Sequence, residues 1–413
     1  MLKKFMVMLS IGLTFMFLAA QARETVVEKR NGEAIQRAID AVAADGGGRV
    51  TLTNGVYESA TLYLKSGVEL HLAEGSVLRG SADPKDYDDI DDPRIKKAPE
   101  RSKKAFIVCL AGENVAITGE GTIDGQGPLF YDRNVPPGHH YKKPAHPRTR
   151  MVQFWGCKNI RFSGVTFKDS PGWTFWLRMC EDIDVRGVTI VGDQRMINND
   201  GLHFDGCKRM RVADSTIRTG DDCIIMRANR SPDGDSDLCE GLLVENCTLD
   251  SSCQAIRLGC PSDGTIRNGR FRKLRITGNN GILSYHPLRY LQKGSRGCCE
   301  MRDLLVENCD IAVRGSPIVF NIDNGVRLRE FGNVTLRDIR VDSKGPIVLK
   351  GNAETPLKNI RLEHVRGRVA AAQPIEIHDV EGLVLSDTVV TSGHSAPAPF
   401  NWNWKSDSWE CIP

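Results

Sequence analysis

From residue 114 onward the chain repeats one short phrase: a polar residue, a run of alternating apolar residues, then a polar residue or a glycine turn. Asn159 to Phe167 reads N-I-R-F-S-G-V-T-F. Asp182 to Ile190, Arg209 to Ile217, Gly241 to Leu249, Asp303 to Ile311, Asn333 to Val341, Asn359 to Gly367 and Gly382 to Val390 follow the same pattern. Successive copies start 23, 27, 32, 62, 30, 26 and 23 residues apart, and the longest gap holds one more coil, around Thr265 to Phe271. Alternation with a period of two means strands, and recurrence every roughly 20 to 35 residues means that each copy is one coil of a stack. The predicted fold is all-β, a parallel β-helix in which each coil packs only on its neighbours, so that a chain of 413 residues need not divide into several domains.

The first coil is preceded by a different pattern. Ala34, Ile35, Ala38, Ile39 and Val42 fall on one face of a helix, and Gly46-Gly47-Gly48 ends it. Strands are expected over 49–52, 60–64 and 68–72. A helix here caps the open edge of the stack.

Before the helix lies a targeting segment. Lys3 and Lys4 precede the apolar run Phe5 to Leu18, and Ala20-Gln21-Ala22 has the small-x-small form of a cleavage site. The expectation is a signal peptide over residues 1–22, cleaved after Ala22, followed by one catalytic domain over 23–413, secreted or periplasmic. Losing Lys3 and Lys4 takes the net charge from +3 to +1. A near-neutral chain gives no electrostatic case for nucleic acid or for a membrane surface, and a monomer without a membrane anchor is expected.

Thirteen cysteines are an odd number for a disulfide framework. Cys157, Cys180, Cys207, Cys239, Cys247 and Cys309 recur at one place in the repeat, which favours small apolar side chains stacked inside successive coils. Cys298, Cys299 and Cys411 fit neither scheme. The longest interruption, residues 82–150, reads as loops beside a groove, with the acidic run Asp83 to Pro93 a solvated face. Asp233 to Asp237 reads the same way, since it lacks the full calcium-loop spacing. The aromatic tail Phe400 to Trp409 reads as a lid on the last coil.

Asn198 to Arg227 carries the chemistry. Asp200 and the pair Asp221–Asp222 are 21 residues apart with one strand phrase between them, so Asp200 and Asp221 are expected one above the other on neighbouring coils. Coils lie about 4.8 Å apart. Carboxyls crowded in this way raise one another's pKa, so that one acid can hold a proton while another acts as base, as cleavage of a glycosidic bond requires.

The chain resembles glycoside hydrolase family 28, the polygalacturonases, along nearly all of its expected mature length. The resemblance rests on Ala34-Ile-Gln-Arg-Ala-Ile-Asp40, Asp45 to Val50, Gly55-Val-Tyr57, Leu64 to Leu70, Gly119-Glu-Gly-Thr-Ile-Asp-Gly-Gln-Gly127, Asn198-Asn-Asp200 and Gly220-Asp-Asp222. It implies a right-handed β-helix and an inverting hydrolysis of pectin-like chains, of galacturonan or rhamnogalacturonan type. Asp221 is then the general acid, and Asp200 and Asp222 hold the attacking water. Two family motifs differ here. Cys253 stands where a histidine is usual, and Gly281 to Tyr285 lacks the Arg-x-Lys that grips a substrate carboxylate. Asn198, Arg227, Cys253, Arg257, Tyr285 and His286 are therefore the expected substrate contacts, with Arg227, Arg257 and Arg289 as replacement charge and His203 near the same face. No metal or other cofactor is expected. A polysaccharide lyase and a non-catalytic carbohydrate-binding β-helix are the alternatives. The acids, without a clear metal set, argue against the first. Crowded carboxylates, which a binder does not need, argue against the second.

Overall fold

The computed structural model describes residues 23–93, 103–229, 238–259, 262–289, 298–393, 400–403 and 408–411. The expected signal peptide and the run Asp233 to Asp237 lie outside them. Thirty-two described strands join in one parallel hydrogen-bonded system. The helix Gly32–Ala44 covers its N-terminal end. Asn31 caps that helix, its side chain accepting from the Ala34 amide at 2.9 Å, and Ile35, Ile39 and Val42 are buried.

The repeat phrases at 303–311, 333–341 and 359–367 each lie within one long strand, whereas the other five are two strands each. Lys158–Ser163 and Thr166–Lys168, for example, are separated by Gly164 in the left-handed region. A third strand per coil lies between the phrases: Arg150–Trp155, Phe175–Arg178, Leu202–Asp205 and Ile224–Arg227. Every residue of these four strands is buried. Both faces being covered, their sequences carry no polar alternation to mark them.

The polar residue that opens each phrase has a specific task. Asn114, Asn159, Asp182, Arg209, Asp303, Asn333 and Asn359 all have φ between 51° and 59°, a conformation that short polar side chains tolerate best. Their side chains join coil to coil: the Asn333 amide donates to Asp303 at 3.2 Å, and Asn359 to Asn333 at 3.1 Å. The turn is thus fixed once per coil, and the intervening register follows from it. Leu238 pairs with Thr265 and Thr265 with Glu300, offsets of 27 and 35 residues that divide the 62-residue gap into two coils.

Inside the stack, Val152, Phe175, Leu202, Ile224, Ile256 and Ile282 form one continuous apolar column. The cysteines form another. Cys157, Cys180 and Cys207 are fully buried and their thiols lie against backbone carbonyls of their own and the preceding coil. The eleven cysteines other than Cys260 and Cys411 are free. In the acidic run Asp83, Asp86, Asp88, Asp89 and Asp91 are exposed, as expected of a solvated face, while Tyr87, Ile90 and Asp92 are buried. The Tyr87 hydroxyl donates to Ser81 O at 2.8 Å, which anchors the segment beneath its exposed acids. In the tail, Phe400–Asn403 and Ser408–Cys411 pair antiparallel, and residues 404–407 lie outside the described ones.

Candidate active site

The acids sit where two turns enter the third strands of consecutive coils. Leu202 pairs with Ile224, an offset of 22 residues, whereas the strands before the turns, Thr189–Val191 and Thr216–Thr219, pair at an offset of 27. The five extra residues fall in the loop 192–201. The residue stacked on Asp200 is therefore Asp222, not Asp221 as the 21-residue spacing suggested. The ladder continues to that point: Gly201 N donates to Asp222 O at 2.9 Å and Thr174 N to Asp200 O at 2.8 Å. On the next coil Thr219 pairs with Ser251 and Ile224 with Ile256, both 32 apart, which sets Cys253 on Asp221.

Asp200, Asp221 and Asp222 are only 5%, 8% and 1% exposed. The Asp221 carbonyl accepts from Thr219 Oγ1 at 2.6 Å and Ser251 Oγ at 2.7 Å, which clamps the turn. Its carboxyl accepts from the Asn198 amide N–H at 3.0 Å, from Asn198 Nδ2 at 3.4 Å and from Asp222 N at 2.9 Å. Burial, then the Asp222 charge, pushes Asp221 up to about 6, against the pull of Arg257 and of the Asn198 and Asp222 N–H groups. Burial, then Asp221 and Asp222, holds Asp200 far above the carboxylate range. Charges this close titrate together. Asp222 is ion-paired: Arg257 Nη1 donates to its Oδ2 at 2.9 Å. Asp200 Oδ1 and Asp222 Oδ1 have no hydrogen-bond partner.

Cys253 sits at a bulge in the strand Thr248–Leu258, where the register shifts between Ser251 and Gln254. Its sulfur and oxygens of Asp221 and Asp222 lie within 4.8 Å of one another. Among the described residues this is the group nearest to a metal donor set, but its chemistry is unfavourable for one. Burial, then the two aspartates, pushes the thiol far up, so it stays protonated, and Asp222 already has a cationic partner.

The model of the family described as glycosyl hydrolases family 28 matches residues 92–232, which include all three acids. An "Endo-polygalacturonase" of Pectobacterium parmentieri is 25% identical over 349 residues, 79% of this chain and 83% of its own. A "Probable polygalacturonase" of Vitis vinifera is 28% identical over 272 residues, 61% of this chain and 53% of its own. The match thus spans about half the length of that relative. Over residues 92–232 the chain is similar to glycosyl hydrolase family 28. Its fold is similar to that of an exopolygalacturonase from Thermotoga maritima, with a TM-score of 0.70 at 20% identity over 88% of this chain and 92% of that one. The family match ends before Cys253 and Arg257, on the coil where the sequence departs from the family pattern.

The other expected contacts divide. Arg257 and His203 belong to one outward-facing column of the third strand, with Gln153, Trp176 and Ile225. Arg227 is in the neighbouring outward column, beside Asp205 on the preceding coil. Its guanidinium carbon is 5.6 Å from the Trp173 ring centroid. His203 is fully buried against Trp173, with centroids 4.1 Å apart. Burial, followed by Arg227 and Arg150, pushes its pKa far down and keeps it neutral. Tyr285, also outward, lies one coil beyond Arg257, and its hydroxyl donates to Asp323 at 3.1 Å. His286 is a correction. It shares the parity of Ser284, its Nε2 lies 3.0 Å from the Ser284 hydroxyl, and its ring packs edge-on to Phe331. Strand alternation sends it into the core, away from the face that carries the acids.

Several site residues had no reading from the sequence. Arg178 and Asp205, both fully buried, form an ion pair at 2.5 Å beneath Arg227. A signal existed for this pair: each stands two residues before a cysteine of the ladder, so equal repeat positions carried opposite charges. Trp173 and Arg150, which stack at 4.3 Å, and Tyr131 and Arg148 come from loops or loop edges with no repeat to place them.

Proposed function

We propose that this protein hydrolyses glycosidic bonds in pectin-like chains of acidic sugars, of galacturonan or rhamnogalacturonan type, with inversion at the anomeric carbon. The observation that carries this reading is the stacking of Asp200 on Asp222 with one unpartnered, buried oxygen on each. Neighbouring coils are about 4.8 Å apart, so one water can hydrogen-bond to both. Asp222, beside Arg257, takes the water's proton as the oxygen attacks the anomeric carbon, and Asp200 orients that water. Asp221, with its pKa raised to about 6, gives its proton to the leaving oxygen. Arg227 supplies positive charge to a sugar carboxylate in place of the missing Arg-x-Lys. The protein acts as a monomer after export and removal of residues 1–22, which fits a polymeric substrate. Among the described residues, no helix is long and apolar enough to cross a membrane.

Incubation with polygalacturonate, rhamnogalacturonan and oligogalacturonides, following both reducing ends and absorbance of unsaturated products, tests the reading. Reducing ends without unsaturation are expected. Unsaturated products would make the protein a lyase, and binding without either signal would make it a lectin-like β-helix.

A further inference from the structure

The inserted segment between the strands Thr122–Asp124 and Arg150–Trp155 takes no part in the acid chemistry above, yet it lies directly against the loop 192–201 that carries Asn198 and Asp200. Tyr141 N donates to Arg195 O at 2.8 Å, and the Tyr141 hydroxyl to Asp193 at 2.7 Å. Arg195 Nε returns a hydrogen bond to His139 O at 2.9 Å. The Tyr131 hydroxyl lies 2.6 Å from Ile197 O. At the end of this zipper stands Arg148. Its Nη1 donates to Ile197 O at 2.6 Å and to the Tyr131 hydroxyl at 2.5 Å, and its Nη2 donates to Asn198 Oδ1 at 2.8 Å.

Two consequences follow from donor chemistry. A guanidinium only donates, so the Asn198 side-chain oxygen must face Arg148, and the amide NH2 is left pointing at Asp221 Oδ2, 3.4 Å away. Asn198 also holds φ at +55°, the left-handed conformation that asparagine tolerates. The fork across Ile197 O and Asn198 Oδ1 pins that conformation, which aims the Asn198 backbone N–H at the same Asp221 oxygen, at 3.0 Å.

We propose that Arg148 is a positioning residue of the catalytic acid: by locking Asn198 it fixes the orientation and proton affinity of the Asp221 carboxyl. The proposal rests on the hydrolase reading only in giving Asp221 the proton-donor role. The groups that face Asp221 are Asp222 on its own turn, Asp200 and Tyr131 from the preceding segments, and Arg257 and Cys253 from the next coil. None of these touches Arg148 except Tyr131, so a change at Arg148 reaches the acid through Asn198 or through that hydroxyl.

The test compares wild type with Arg148→Met and Arg148→Lys in the full chain. Turnover of polygalacturonate is followed against pH. In parallel, the Asp221 carboxyl band is titrated by difference infrared spectroscopy and assigned by its loss in Asp221→Asn. With the N–H donors misplaced, the alkaline limb of kcat and the infrared titration should both move up by about half to one pH unit. kcat should fall about 10- to 100-fold while KM changes little. Arg148→Lys should fall between, since one ammonium cannot span both oxygens. Unchanged limb and titration in a folded Arg148→Met protein would overturn the proposal. If Arg148→Met does not fold, the infrared titration of Arg148→Lys decides by the same criterion. If wild type leaves polygalacturonate intact, the hydrolase reading loses its support on that substrate, while the infrared titration still decides whether Arg148 sets the proton affinity of Asp221.

Discussion

Arg257 donates through Nη1 to Oδ2 of Asp222 at 2.9 Å, from a position one coil further along the stack. The side chains are 14% and 1% exposed, so neither charge can fall back on water if the other is removed. Breaking a buried pair from one side costs more than the pair contributes net, on the order of 3 kcal/mol. Arg257→Gln should therefore lower the unfolding free energy by about that amount, read from urea melts at pH 7. Asp222→Asn placed in the same chain should recover more than half of the loss. A double variant as unstable as the single one would mean that Arg257 stabilises the coil by packing alone.

Asp221 makes a prediction whose sign runs against the usual one for a carboxylate. Its folded pKa, pushed up to about 6, lies above its ordinary 3.8. The folded protein therefore binds more protons than the unfolded chain between those values, and its stability falls as pH rises through that window. Asp221→Asn removes the penalty. The variant should match wild type near pH 4 and exceed it by roughly 1–3 kcal/mol at pH 8, while losing turnover. Equal stability of the two proteins at pH 8 would show that the carboxyl is not held up. A variant that keeps turnover would remove Asp221 from the acid role.

How much of this could be read from the sequence follows from periodicity. The polar residue at the head of each phrase marked a left-handed turn, and because that turn recurs once per coil, coil number and strand order were legible from Asn159, Asp182, Arg209 and their successors. The length of one loop was not. Nothing in Gly192 to Gly201 announces five residues more than the matching turn of the next coil, and that excess moves the partner of Asp200 from Asp221 to Asp222. Parity was legible but was not applied at His286, two positions from Ser284 on a strand whose even-numbered residues here face inward. Arg148 was not legible, because a residue in an insertion has no copy elsewhere in the chain to fix where it points.

Cys253 stacks on Asp221, and its surroundings set its reactivity. Burial and the two neighbouring aspartates disfavour the thiolate, and the thiolate is the form that reacts. Native protein held at pH 8 with iodoacetamide should leave Cys253 unmodified for hours, and the same treatment in denaturant should label it fully, as read by peptide mass spectrometry. The eleven cysteines other than Cys260 and Cys411 being free, a reductant should leave the unfolding midpoint unchanged. Rapid alkylation of Cys253 in the folded protein would mean that burial and the neighbouring aspartates do not hold the thiol protonated.

The stereochemistry of cleavage separates the roles given to Asp222. If it activates water, it must keep an oxygen free of the protein, and it does: Oδ2 is held by Arg257, while Oδ1 has no hydrogen-bond partner and lies across the coil step from the equally unpartnered Oδ1 of Asp200. In the proposed hydrolysis, a water gripped by both attacks the sugar from the face opposite the leaving group, which inverts the anomeric centre. If Asp222 were instead a nucleophile, its closeness to Asp221, with oxygens within 4.8 Å, would suit the narrower carboxyl spacing of retaining enzymes, roughly 5 Å. Proton NMR of the anomeric signals in the first minutes of digestion, before mutarotation, distinguishes the two. The first product signal should be the anomer opposite to the linkage cleaved. The same anomer as the linkage, together with a trapped glycosyl ester on Asp222, would transfer the water-holding role to Asp200 alone.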